Sequence, residues 1–235
     1  MEATGVGAAV KLLDDVWAFR ISVFQQSYMV VSNKRAILID AVHTATYNSI
    51  VQLLKSQDIH LDAIILTHGG LVKDFNTTRK SNHLLNSVPA LIHRLDLMPN
   101  AGLSDICEYT DLLAAFKIRH WNFKGHTPGS IILSYDQHGG TIFAGHCAIG
   151  SPFNADENTL VRPLLSHEDD EMLIAEWENL NIDIRHILPM YGKPVLDLAG
   201  FDEVADVVLH LIEPDGKVKK RMPMSLPSFR QLKRL

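Results

Sequence analysis

AIILTHGGLVKDF, residues 63–75, sets an apolar strand-like run against an abrupt polar turn. Ile64, Ile65 and Leu66 run on without alternation, the pattern of a strand buried on both faces. Thr67, His68 and two glycines end the run. In α/β proteins the loop just past a strand's carboxyl end is where side chains meet ligands, because the sheet holds the loop base rigid. His68 stands at such a place. Gly69, Gly70, Leu71, Val72 and Lys73 come next, and of these only the lysine is ionisable; a protonated ammonium is a poor metal ligand.

Three further stretches end in the same way. They are GHTPGS (residues 125–130), with His126; TIFAGHCAIG (residues 141–150), with His146; and HILPMYGKP (residues 186–194), with Tyr191. Glycine or proline beside each lets the backbone turn sharply enough to aim the side chain into a shared cleft.

Around these stretches, strands and helices alternate. Residues 16–24, 27–32 and 35–41 read as a meander of three short strands. Residues 44–57 place Ile50, Val51, Leu53 and Leu54 on one helical face. Residues 76–88 read as a helix with Thr77 or Thr78 as its cap, and residues 89–94 as a short strand. Residues 115–124 alternate with Phe116, Ile118 and Trp121 inward, and QHGG joins two strands of a hairpin. Residues 166–180 form a helix capped by Ser166, with acids in its first turn. A last amphipathic helix is expected over residues 201–212. This order predicts a mixed sheet covered by helices, with residues 1–15 as an N-terminal extension, 16–213 as one domain and 214–235 as a basic tail.

Composition narrows the class. The 235 residues are 46% hydrophobic and 21% charged, ordinary for a globular chain. No apolar run approaches the ~20 residues that span a bilayer, and the first residues lack the apolar core of a secretory signal. Cys107 and Cys147 lack metal-type spacing and read as reduced thiols, which favours a cytoplasmic protein. Residues 217–235 hold seven of the 22 basic residues and no acid, so residues 1–216 carry 15 positive against 27 negative charges. Such a tail suits an acidic partner or its own acidic body. Seven charges with two prolines make a weak nucleic-acid footprint.

The four strand-end stretches resemble the metallo-β-lactamase superfamily, over most of residues 16–213. That family carries T-H-x-H-x-D-H after one strand, G-H-T-P-G-S in a later loop, F-x-G-D at another strand end and P-G-H-G at the last. Here the matching stretches are LTHGGLVKD, an intact GHTPGS, FAGHCAIG and LPMYGKP, and AILIDAV is similar to the family's early strand ending in aspartate. The resemblance implies an α/β four-layer αββα sandwich with its site at one edge of paired sheets. It also implies hydrolysis at two metals, usually zinc or iron. His68 and His126 match family ligands. The other ligand positions fall on Gly70, Val72, Lys73, His146 and Tyr191, so the second metal loses all three ligands that it alone uses.

This pattern of kept and lost ligands supports two expectations. In the first, the dinuclear centre is lost, no cofactor is bound, and the chain is a non-hydrolytic binding or regulatory module. Lys73 then fills the vacated cation position and, with Tyr191, binds a small, anionic ligand. In the second, His68, His126 and His146 hold one zinc or iron ion, and the chain hydrolyses small esters, thioesters or lactones with help from Tyr191. A third reading makes the domain a scaffold whose basic tail meets an acidic partner. Relatives of this fold often pair, so a homodimer stays open. Cys147 comes directly after His146 on an extended strand, points to the opposite face and is expected to be packed.

Overall fold

The computed structural model describes residues 5–99, 101–153, 160–163, 165–198, 210–212 and 218–220. One sheet runs in chain order through β1 (Ala9–Leu13), β2 (Val16–Arg20), β3 (Gln26–Ser32), β4 (Arg35–Ile39), β5 (His60–Ile65), β6 (Ala90–Ile92) and β7 (Ser104–Asp105). β1 to β4 pair antiparallel; β4 to β7 pair parallel. The switch to parallel pairing needs crossovers, supplied by α1 (Thr44–Ser56) and then by α2 (Val72–Lys80) and α3 (His83–Asn86). After α4 (Thr110–Ala115), a second sheet is built from β8 (Ile118–Asn122), β9 (Ile131–Tyr135), β10 (Thr141–Gly150) and β11 (Leu160–Val161). β12 (His186–Tyr191) lies parallel to β10, reached through α5 (His167–Asn179).

Period-two alternation explains both the layers and the unbroken apolar runs. Ile37, Ile39, Ala63 and Ile65 of the first sheet meet Ile131, Leu133, Phe143 and Leu188 of the second in one cluster. Their neighbours Leu38, Ile64 and Leu66 face the other way, onto Ile50, Leu53 and Leu54 of α1 and Phe75 of α2. On the far side Ile132, Ile142 and Ile187 pack against Leu173 and Trp177 of α5. Each central strand is covered on both faces, so neither face is polar. The result is the expected αββα order of layers.

Details depart from expectation where local signals compete. β1, within the segment read as an extension, forms the edge of the first sheet. The strand expected over residues 16–24 stops at Arg20. The helix after His68 starts earlier, at Val72, so neither Thr77 nor Thr78 caps it. Their hydroxyls donate instead to the carbonyls of Lys73 and Val42. The Ser166 cap forms as expected, its Oγ accepting the Asp169 N–H. Of the helix expected over residues 201–212, residues 201–209 lie outside the described residues. His210–Ile212 is a strand, β13, paired with β14 (Val218–Lys220). The rest of the basic tail also lies outside them. Among the described residues no helix is long and apolar enough to cross a membrane.

Candidate metal centre

His68 lies just after β5, His126 in the loop between β8 and β9, and His146 within β10. Their three candidate ligand nitrogens fall within 4.8 Å of one another. The rings stand edge to face: His68 to His126 at 4.6 Å and His126 to His146 at 4.0 Å between centroids. Tyr191, at the end of β12, brings its ring to 4.8 Å from that of His146. Sequence-separated residues thus converge because three strand ends and the bend at Gly145 share one edge of the paired sheets. β10 does not end before His146, as its sequence suggested, but runs on to Gly150.

The His68 loop is tightly specified. The Asp40 carboxylate, at the end of β4, accepts the Thr67 N–H at 2.8 Å and the Thr67 hydroxyl at 2.9 Å. The His68 ring lies over Gly70, whose N–H donates to Nδ1 at 3.2 Å. A Cβ on Gly70 would sit 2.9 Å from that ring, so a side chain where the resemblance calls for a second histidine would displace the His68 ring from this position. Gly145, at φ +52°, turns β10 immediately before His146.

Asp96 joins the two histidine loops. Its carboxylate accepts the N–H of Gly69 at 2.6 Å, the hydroxyl of Thr127 at 2.5 Å and the N–H of Gly129 at 3.0 Å. Nothing in HRLDLMPN marks this residue, because all its partners are distant in sequence. Asp40 is different, since a strand ending in aspartate already singles it out.

Burial sets the protonation of the cluster. It lowers the His68 pKa to about 3, and the neighbouring charges of His126 and His146 push the same way. Burial lowers His146 to about 4, reinforced by His126, and also lowers His126, against the opposing carboxylate of Asp96. All three imidazoles are therefore neutral at pH 7, as metal ligands must be. The Tyr191 phenol is raised by burial and then by the charges of Asp40 and Asp74, so it stays a hydrogen-bond donor. Burial lifts Asp40 to about 7, against the two hydrogen bonds from Thr67.

Two nitrogens are satisfied by each other: His146 Nδ1 and His126 Nε2 are 2.9 Å apart. The third is not. His68 Nε2 is buried and has no hydrogen-bond partner. Imidazole ligands bond zinc at about 2.0–2.1 Å, which sets tetrahedral ligand nitrogens roughly 3.3 Å apart. That spacing lies between the 2.9 Å pair and the 4.8 Å span of the cluster. The donor set thus fits one ion. Ligation through Nε2 moves the His68 ring proton to Nδ1 and gives up the long Gly70 contact.

The positions where the resemblance places ligands of a second ion carry no histidine or carboxylate at Val72 and Lys73. Val72 is buried at the start of α2, and Lys73 is exposed on the same helix. The charged α2 side chain whose field reaches Tyr191 is Asp74. Cys147 is buried, as expected, and its carbonyl accepts the Trp177 indole N–H at 3.1 Å.

Residues 21–69 match the sequence profile of the metallo-beta-lactamase superfamily. No curated protein sequence matches the chain. Among solved structures, a metallo beta lactamase from Erythrobacter litoralis with beta mercaptoethanol in its active site is 17% identical. The match covers 87% of this chain and 96% of that one, with a TM-score of 0.62. The DIM-1 metallo-beta-lactamase is 11% identical over 85% of this chain and 95% of its own, with a TM-score of 0.56. BLEG-1, a B3 metallo-beta-lactamase, is 18% identical over 73% of this chain and 88% of its own, with a TM-score of 0.50. These likenesses establish the fold. The profile match is confined to residues 21–69, from the approach to β3 as far as the His68 loop.

Proposed function

From the metallo-β-lactamase fold, we propose that this chain holds one zinc or iron ion on His68, His126 and His146 and hydrolyses small esters, thioesters or lactones. The observation that carries the proposal is the buried, unpartnered Nε2 of His68 beside two neutral imidazoles. A buried polar nitrogen left unpaired costs about 1–3 kcal/mol, a cost that ligation removes. Three imidazoles suit zinc or iron, and such an ion supplies Lewis acidity toward a substrate carbonyl and water.

The chain's own residues complete the site. Tyr191, held protonated, donates a hydrogen bond to the substrate oxygen that gains charge. Asp96 holds the loops of His68 and His126 in register. Asp40 and Thr67 fix the strand end from which His68 projects. His126 and His146 are half-buried, so the cluster is not wholly sealed from solvent.

A second reading, the non-hydrolytic binding module, draws on the 2.9 Å His146–His126 contact, which satisfies two of the three histidines without an ion. Elemental analysis of protein purified without chelator separates the two. The hydrolase reading expects about one equivalent of zinc or iron, lost in His126→Ala, with ester or thioester turnover that falls in Tyr191→Phe. Folded wild-type protein that takes up no added ion overturns it in favour of the binding module.

A further inference from the structure

A second cluster of reactive side chains lies on the turn after β7, apart from the three histidines. Cys107 is half-buried there, with its Sγ 3.6 Å from Nε2 of His120 on β8. The Asp105 carboxylate accepts the Cys107 N–H at 3.1 Å and fixes the turn. The Arg94 guanidinium pairs with Asp105 at 3.2 Å, and both charges act on the thiol, the carboxylate against the guanidinium. The His93 ring stands 6.4 Å from that of His120, and its Nδ1 accepts the Leu95 N–H. A thiol, an imidazole in contact with it and a guanidinium at the same sulfur are the parts of an activated nucleophile.

We propose that Cys107 is a reactive thiol, activated by His120, that is oxidised to a sulfenic acid by small hydroperoxides. The thiol proton passes to His120 Nε2 as the sulfur attacks the distal peroxide oxygen. The O–O bond breaks, sulfur loses two electrons and becomes S–OH, and the leaving oxygen takes the proton back from His120 as water or an alcohol. Arg94 donates to that leaving oxygen. Burial lowers the His120 pKa, with the His93 charge acting the same way, so the imidazole is free to accept a proton at neutral pH. The charged and titratable groups facing the pair are Asp105, Arg94, His93 and, through Arg94, Glu108. Cys147 serves as an internal reference, because it is buried and its thiol is pushed up by that burial. The proposal is independent of the metal reading.

The experiment treats the full chain with iodoacetamide from pH 5.5 to 9 and with hydrogen peroxide plus a cyclic dione that traps sulfenic acids, reading each cysteine by peptide mass. Cys107 alkylation at pH 6.5 should be roughly tenfold slower in His120→Gln than in the wild-type protein. The dione should mark Cys107 alone. A wild-type rate that climbs tenfold per pH unit toward pH 8.5, as for an unassisted thiol, overturns the activation. That readout needs no variant. Fast alkylation without dione trapping overturns the assignment of hydroperoxide. Protection of Cys147 reports in every sample that the domain is folded, and Cys107→Ser should abolish both signals.

Discussion

The Asp96 carboxylate accepts the backbone N–H of Gly69 at 2.6 Å, one residue from His68, while also holding Thr127 and Gly129 in the loop that carries His126. One side chain therefore sets the spacing of two loops from different sheets. Asp96→Ala leaves three donors without their acceptor and should cost about 2–4 kcal/mol in urea unfolding. Ion affinity should fall about 10–100-fold, since loss of an outer-shell partner loosens its ligand. Asp96→Asn, which keeps one acceptor oxygen, should lose less on both counts.

Gly70 leaves room for the ring of His68. Because a Cβ there would stand 2.9 Å from two ring atoms, Gly70→Ala must swing His68 away from its neighbours. We expect a folded protein, destabilised by about 1–3 kcal/mol, with ion uptake reduced at least as much as in His146→Ala. Titration with zinc, monitored calorimetrically, measures it.

Acid stability should report the buried histidines. His68 titrates near 3 in the folded protein against about 6.5 unfolded, so between those values the unfolded chain binds the extra proton. Stability then rises with pH across that window and is lost as pH falls from 6.5, by up to about 1.4 kcal/mol per pH unit for this group. Asp40 acts oppositely: its folded value of about 7 exceeds the ordinary carboxylate value, so the native state binds more protons between about 4 and 7. Its contribution falls as pH rises through that range. Asp40→Asn removes that opposition and should steepen the acid-side profile, with its largest relative gain above pH 7. Urea midpoints at pH 5, 6.5 and 8 compare the two proteins.

The strand ends bearing His68, His126 and Tyr191 are legible in sequence because an apolar run closed by a polar residue and glycine is a local signal. At His146 the same signal marks a bend inside β10 instead of its end. The layers are legible because each central strand is apolar on both faces. The helix caps are less so: Thr77 and Thr78 have the right chemistry, but Gly69 to Leu71 coil first and start α2 at Val72. Asp96 is invisible, since its role is defined only by partners 27 to 33 residues away. The charge of Asp74 on α2, which raises the Tyr191 phenol, is a matter of helical phase that motif spacing does not encode.

Gly145 offers the sharpest separation of backbone strain from steric crowding. At φ +52° a side chain is already disfavoured, and a Cβ would lie 2.4 Å from the Thr67 hydroxyl oxygen and 2.7 Å from the Thr67 Cβ. Thr67 is itself held by Asp40 and cannot retreat without breaking those hydrogen bonds. Gly139, in the β9–β10 turn, has φ +79°, but its Cβ would meet only the flexible side chain of Arg185, at 3.0 Å. Gly139→Ala should therefore cost only the left-handed conformation, about 1–2 kcal/mol. Gly145→Ala should cost about 2–5 kcal/mol, the same strain plus overpacking. It should also displace His146, lowering ion uptake, whereas Gly139→Ala leaves uptake at the wild-type level. Urea unfolding and zinc titration of the two variants side by side test this, and equal losses in both would mean that crowding at Thr67 does not position His146.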